Sequence, residues 1–200
     1  MNDHYFSTDP SSSVEQTRIA FPAWGHELTL VAATGVFSSR RLDLGTSVLF
    51  RSAAPDQHAE SVVDLGCGWG PITAALAVSL PEAVVWAVDV NQRALETTAA
   101  NAARLRIGSR VRTVTPEQVP EDLQVDEIWS NPPIHAGKQV LHDLLLAWLL
   151  RLRPGGRAVL VIGKNLGADS LQRWLAGQGH PCERLASAKG FRVLEVHRPT

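Results

Sequence analysis

Ten consecutive residues, Val62-Val63-Asp64-Leu65-Gly66-Cys67-Gly68-Trp69-Gly70-Pro71, restrict the fold of this chain more than any other stretch. A short apolar run with two β-branched valines ends in an acid, three glycines alternate with other residues, and Pro71 opens an apolar-periodic segment through Leu80. That pattern predicts strand, tight loop and helix. Glycine at alternate positions lets the chain turn sharply and lets a ligand approach the backbone without meeting a Cβ. The spacing Asp64-x-Gly66-x-Gly68-x-Gly70 differs from the Gly-x-Gly-x-x-Gly loop that seats a pyrophosphate on a helix N-terminus. Pro71 brings no N–H to the helix start and nothing basic flanks the loop, so a ligand without phosphate fits better.

Val84 to Val88 predicts a second buried strand, and it ends in Asp89, about 20 residues beyond the loop, where α/β nucleoside sites keep an acid for the ribose hydroxyls. The same carboxylate also suits the N-cap of a helix from Gln92 to Leu105. Further strands are expected at Val111–Val114, Val125–Ser130 and Arg157–Ile162, with helices at Val140–Arg151 and Ala168–Ala176 between them. Pro154-Gly155-Gly156 reads as the break after the apolar helix. Strands alternating with helices imply a parallel sheet. Cys182–Ala186 and Phe191–Val196, joined across Lys189-Gly190, read as a closing hairpin.

Upstream, residues 1 to 16 are polar and turn-rich, a loosely held lead-in. Thr17–Ala23 and Glu27–Ala32 predict a hairpin about Trp24-Gly25-His26. Residues 34 to 46 form a loop too long and too apolar for a tether, expected to line the ligand site, with Thr46 capping a helix to about Ala54.

Two hundred residues suffice for one well-cored domain with a small N-terminal addition. With no apolar run of membrane-spanning length and no basic-then-apolar start, the expected location is cytoplasmic. Cys67 and Cys182 form no Cys-x-x-Cys pair, and the seven histidines lack zinc-site spacing, so no structural metal is expected. A net charge of −1 argues against a broad electrostatic grip on nucleic acid, which leaves only local contacts.

At the carboxyl end of the predicted fourth strand stands Ser130-Asn131-Pro132-Pro133-Ile134-His135-Ala136-Gly137-Lys138. Ligands of open α/β sheets bind beyond the carboxyl ends of the strands, so this segment should face the Asp64 and Asp89 loops. Two prolines stiffen it and hold the Asn131 amide and main-chain carbonyls as a fixed set of acceptors. Such a set can accept the hydrogens of an amino group and keep its lone pair aimed at an electrophile. An Asn-Pro pair can also simply begin a turn. Arg40, Arg41, Lys138 and Lys164 fall on loops expected around the same mouth, where they can hold phosphates.

Together these residues resemble the class I S-adenosylmethionine-dependent methyltransferases, with a Rossmann-like seven-stranded sheet, mostly parallel with an antiparallel last strand. Asp64-x-Gly66-x-Gly68-x-Gly70 is similar to that family's cofactor loop, Asp89 to its ribose acid, and Asn131-Pro132-Pro133 to the Asn-Pro-Pro-aromatic segment of enzymes that methylate planar nitrogens. Gly35-Val36-Phe37-Ser38, Leu42-Asp43-x-Gly45-Thr46 and the segment from Asn131 to Lys138 most resemble the small-subunit ribosomal RNA guanine 2-amino methyltransferases. The resemblance implies S-adenosyl-L-methionine as cofactor, held by Asp64, Gly66, Cys67, Gly68, Gly70, Asp89, Val90 and Asn131. It implies catalytic roles for Asn131, Pro132 and Pro133, and a substrate surface of Phe37, Arg40, Ile134, His135, Lys138 and Lys164. The implied partner is ribosomal RNA or the small ribosomal subunit, and His135 is a candidate to take the released proton. Residues 1–45 would form the lead-in, hairpin and site-lining loop, and residues 46–200 the methyltransferase domain.

Two departures from that family stand out. Ile134 replaces the usual stacking aromatic, and Thr115-Pro116-Glu117 replaces the Ser-Asp-Gly whose acid meets the adenine amino group. The rival readings are methylation of adenine or of protein glutamine, a nicotinamide-dependent oxidoreductase, for which the glycine spacing is wrong, and a cofactor-binding assembly module without turnover.

Overall fold

The computed structural model describes residues 16–33, 41–132 and 137–198. Phe37, Arg40, Pro133, Ile134 and His135, to which the sequence assigns site roles, lie outside the described residues, as does the lead-in to residue 15. Strands β1 (Gln16–Ala23) and β2 (His26–Ala33) pair as an antiparallel hairpin. There follow α1 (Leu44–Ser52), β3 (Ser61–Leu65), α2 (Pro71–Ser79), β4 (Val84–Val88), α3 (Gln92–Arg104), β5 (Val111–Val114) and β6 (Val125–Ser130). The chain continues through α4 (Lys138–Leu149), β7 (Leu152–Gly163), α5 (Ala168–Gly177), β8 (Cys182–Ala188) and β9 (Phe191–His197).

The main sheet has the order β5-β4-β3-β6-β7-β9-β8. Only β9 runs against its neighbours, pairing antiparallel with both β7 and β8. Successive strands step outward from β3 through β4 to β5, and β6 then returns to the other side of β3. The crevice at that reversal, beyond the carboxyl ends of β3 and β6, is where such sheets take ligands.

Side-chain alternation along the strands divides the core in two. Val62, Val85, Trp129, Val159 and Val161 point to the face covered by the hairpin, α1, α2 and α3. Val63, Val88, Ile128, Leu160 and Ile162 point to the face covered by α4 and α5. The hairpin is amphipathic with the same period: Ile19, Phe21, Leu28, Leu30 and Ala32 are buried in the first core. Its two-residue turn puts Trp24 and Gly25 at φ 46° and 85°, the primed geometry that matches strand twist. The Trp24 indole holds that conformation by donating to the Ala53 carbonyl at 2.6 Å and by meeting Phe50 and Trp129 edge-on.

Asn101 of α3 fastens β2 from the side. Its Oδ1 accepts the Val31 N–H at 2.9 Å, while its Nδ2 donates to the Val31 carbonyl at 2.8 Å and to the Trp69 carbonyl at 2.9 Å. A buried side-chain amide thus pairs with a strand as another strand would, and satisfies main-chain groups that burial would otherwise leave without partners.

Three local expectations are revised. Asp43, not Thr46, caps α1: its carboxylate accepts the Thr46 N–H at 3.1 Å. Asn91, not Asp89, caps α3, accepting the Arg93 N–H. Pro154-Gly155-Gly156 does not separate helix from strand but lies inside β7, which starts at Leu152. Val125 pairs with Leu152 and Glu127 with Arg157, so the three residues are taken up in a bulge. Gly155 supplies a φ of 81°, and a Cβ on Gly156 would sit 2.8 Å from the Asp126 carbonyl oxygen.

Candidate functional site

The loop between β3 and α2 has Gly66, Gly68 and Gly70 at φ 79°, 58° and 87°, a run that other residues could adopt only under strain. Two of the glycines are required for different reasons. A Cβ on Gly70 would lie 2.9 Å from the Thr98 hydroxyl, so this position lets the loop press onto α3. A Cβ on Gly68 would meet nothing within 4 Å, so the backbone there faces open space. The N–H groups of Gly66 and Cys67 donate to the Val88 carbonyl, that of Gly70 to the Cys67 carbonyl and that of Gly68 to Asp89. With those donors engaged inside the fold, the loop is not a phosphate cradle. Thr98 and Asn101, one turn apart on α3, hold the loop from behind by donating to the carbonyls of Gly68 and Trp69.

Asp89 follows β4 and reaches across to the loop. Its Oδ2 accepts the Gly68 N–H and its Oδ1 the Asn91 N–H, both at 2.9 Å. Each carboxylate oxygen has a second lone pair, so the group can still accept from vicinal hydroxyls. The next residue, Val90, is 82% exposed, an apolar surface beside a hydroxyl acceptor.

Asp64 is completely buried. Its Oδ2 accepts the Thr73 N–H at 2.8 Å and the Thr73 hydroxyl at 2.6 Å, tying β3 to the first turn of α2, and Oδ1 has no protein partner. Burial raises its pKa to about 7 against the opposing effect of the Thr73 hydrogen bonds. Its saturated oxygen therefore serves the loop's scaffold. Burial, with Asp64 and Asp89 nearby, pushes the Cys67 thiol up as well, so it stays protonated and is no nucleophile.

Across the crevice, at the end of β6, Asn131 is half-buried and its Nδ2 donates to Asp43 Oδ2 at 2.7 Å and to Thr46 Oγ1 at 3.0 Å. A carboxylate only accepts, so the amide orientation is fixed: nitrogen toward α1 and Oδ1 left over. Ser130 beneath it donates to the Leu65 carbonyl at 2.6 Å and joins the ends of β6 and β3. Pro132 is buried next to it. The sequence pointed to Asn131 and gave Asp43 no role of its own, because only the fold brings the start of α1 against the end of β6.

Lys138 begins α4 and Lys164 follows β7, both exposed, and Arg41 is exposed before α1. The loop carrying Asn131, the glycine loop and Asp89 therefore share the carboxyl end of the sheet, with the lysines on its border. For S-adenosylmethionine the fit is chemical: open backbone at Gly68, a hydroxyl acceptor at Asp89, an exposed apolar surface at Val90 and no phosphate cradle.

Residues 27–195 match the model of the methyltransferase small domain. The chain is 28% identical to the uncharacterized protein YbxB of Bacillus subtilis over 99% of its own length and all of that protein. It is 34% identical to the ribosomal RNA small subunit methyltransferase C of Ectopseudomonas mendocina, and 36% identical to the ribosomal RNA large subunit methyltransferase G of Streptomyces avermitilis. Those matches take in 86% and 81% of this chain but 51% and 43% of the relatives, so the chain spans about half the length of these RNA enzymes. Among solved structures, a T. thermophilus 16S rRNA N2 methyltransferase in complex with AdoMet and guanosine superposes with a TM-score of 0.76 at 22% identity, covering 95% of this chain and 52% of that one. With sheet order, glycine loop and family model in agreement, the chain belongs to the methyltransferase small domain family and is a class I, S-adenosylmethionine-dependent methyltransferase.

Proposed function

We propose that this chain methylates the exocyclic 2-amino group of a guanine in small-subunit ribosomal RNA. The observation that carries the reading is the Asn131 amide, whose nitrogen is held by Asp43 and Thr46 so that its oxygen is left as an acceptor at the mouth of the crevice. An amino group on a planar ring has two hydrogens to donate. Fixed acceptors can take them and leave the nitrogen lone pair directed along one line, which is most of what such a transfer requires. When bound, S-adenosylmethionine supplies a methyl group already activated by its sulfonium, so the chain provides position rather than a nucleophile. Asp89 would accept from the ribose hydroxyls, Val90 would offer an apolar surface beside them, and the backbone of Gly68 would give the cofactor close approach. Asp64 holds the loop through Thr73, and Pro132 stiffens the segment that bears Asn131. Lys138 and Lys164 meet phosphates at the border of the site. The choice of guanine, and of the small subunit, follows the family resemblance of the segments around Asp43 and Asn131, and relatives include enzymes named for either subunit.

The test is transfer of labelled methyl groups from S-adenosylmethionine into ribosomal subunits and free ribosomal RNA from cells lacking the gene. The expected product is 2-methylguanosine in small-subunit RNA. Label in large-subunit RNA would move the target to the other subunit. Label only in protein, as methylglutamine, would overturn the nucleic-acid reading.

A further inference from the structure

Among the described residues, six large hydrophobic side chains are exposed, and four of them, Leu44, Val90, Val140 and Leu166, stand at the carboxyl-end rim of the sheet. Two of the four belong to one continuous strip beside Asn131. Asn131 bonds Asp43, and Leu44, the next residue, is 43% exposed. Gly45 follows and lies so close under the Phe191 ring that a Cβ there would be 2.9 Å from Cε1. Phe191, partly exposed at the start of β9, pairs with Gly163 at the end of β7, and the side chain of Leu166 folds back to 2.9 Å from a Cβ position on that glycine. Leu166 itself is 54% exposed. The strip Leu44–Phe191–Leu166 therefore runs away from Asn131 over the start of α1 to the end of β7.

Two cations mark its outer end. The Lys164 N–H donates to the Gly190 carbonyl at 2.7 Å, which fixes the β8–β9 turn against the end of β7. Lys189, exposed and at φ 49°, precedes that glycine. Apolar surface bordered by two exposed cations fits a strand that shows base faces and phosphates together. Duplex RNA hides its base faces and presents phosphates and sugars, so it leaves the apolar groups in water. Unpaired nucleotides present both.

We propose that the strip Leu44–Phe191–Leu166 grips unpaired nucleotides adjoining the acceptor base, with their phosphates on Lys164 and Lys189. The inference rests on the reading of this chain as an RNA methyltransferase, and its test reads binding rather than turnover, so the two can fail separately. Anisotropy of a labelled single-stranded oligoribonucleotide, and of the same strand annealed to its complement, would be followed with S-adenosylhomocysteine present. Leu44→Ser/Leu166→Ser should weaken single-strand binding about tenfold without altering its salt dependence. Lys164→Gln/Lys189→Gln should reduce the slope of log affinity against log salt by about 1.4, since each phosphate contact on a single strand contributes about 0.7. Both double variants should bind S-adenosylhomocysteine as the parent does, and Phe191→Tyr should retain strand binding where Phe191→Leu loses it. Equal affinity for strand and duplex, parental binding by the leucine variant, loss of S-adenosylhomocysteine binding along with RNA binding, or no RNA binding by the parent protein would each overturn the strip. Strand binding that follows these expectations without any guanine methylation would leave the strip standing and remove the assigned reaction.

Discussion

Asn131 and Asp64 show how differently two polar residues of one site can be held. Asn131 is oriented by acceptors on another element, so its contribution is directional. Replacement by Ala should leave S-adenosylhomocysteine affinity close to the parent value and lower turnover by roughly 10², the scale for one preorganised polar group at a reaction centre. Single-turnover rates on subunits from cells lacking the gene check this, and an unchanged rate removes Asn131 from the reaction. Asp64 is held by burial, and its pKa of about 7 against an ordinary value of 3.8 makes it a pH-dependent load on the fold. Between those values the native state keeps a proton that the unfolded state releases, so stability contributed by this group is full below about pH 4 and is lost as pH rises through about 7. Asp64→Asn should flatten the fall of the melting temperature between pH 5 and 8 relative to the parent protein. Melting curves with parallel pH profiles would show that the carboxyl is ionised throughout.

At the scale of the element, α1 is the piece whose start decides the geometry of the site. Asp43 caps it and also receives the Asn131 amide, so one carboxylate ends a helix and aims a side chain on another strand. Asp43→Ala should cost about 1 kcal/mol of stability through loss of the cap. It should also reduce turnover, whereas a residue that only capped the helix would leave turnover intact, and comparing chemical denaturation with initial rates separates the two effects. The cap was expected at Thr46, and the second role of Asp43 depends on a strand end 88 residues away that no local pattern contains. The same limit explains Asn101: a polar side chain on an amphipathic helix reads as surface until β2 is known to lie against it. By contrast the strand, glycine loop and helix around Gly66–Gly70 were legible because backbone conformation there is dictated by the glycines themselves. Pro154-Gly155-Gly156 was misplaced because proline and glycines that end a helix also suit a bulge, and only the register of β7 against β6 distinguishes the two.

For the whole molecule, chemistry and scaffolding occupy opposite ends of the sheet. The site lies at the carboxyl ends, while at the amino end Arg157 pairs with Glu127 at 2.7 Å and Glu195 at 2.6 Å and donates to the Ala54 carbonyl at 2.7 Å. Glu127, 2% exposed, also accepts the Trp129 indole N–H, so the buried carboxylate is fully engaged. A parallel sheet with a closing hairpin was legible from alternating strands and helices, whereas the strand order and those long-range pairs were not.

The peptide-like bond between Asn101 and Val31 spans 70 residues of sequence, and on a ribosome that separation becomes time. A two-stranded hairpin is marginal by itself in water, and although Phe21 of this one packs on Phe50 and Trp69, the Val31 main chain has no side-chain amide to pair with until α3 has been made. At about 5 to 20 residues per second the interval lasts roughly 4 to 14 s, during which the hairpin lacks that partner. Nascent chains arrested with residue 101 still inside the exit tunnel should be cut by protease within the hairpin, and chains arrested well beyond α3 should resist. Equal resistance at both lengths would mean that the hairpin finds a temporary shelter before its permanent one exists.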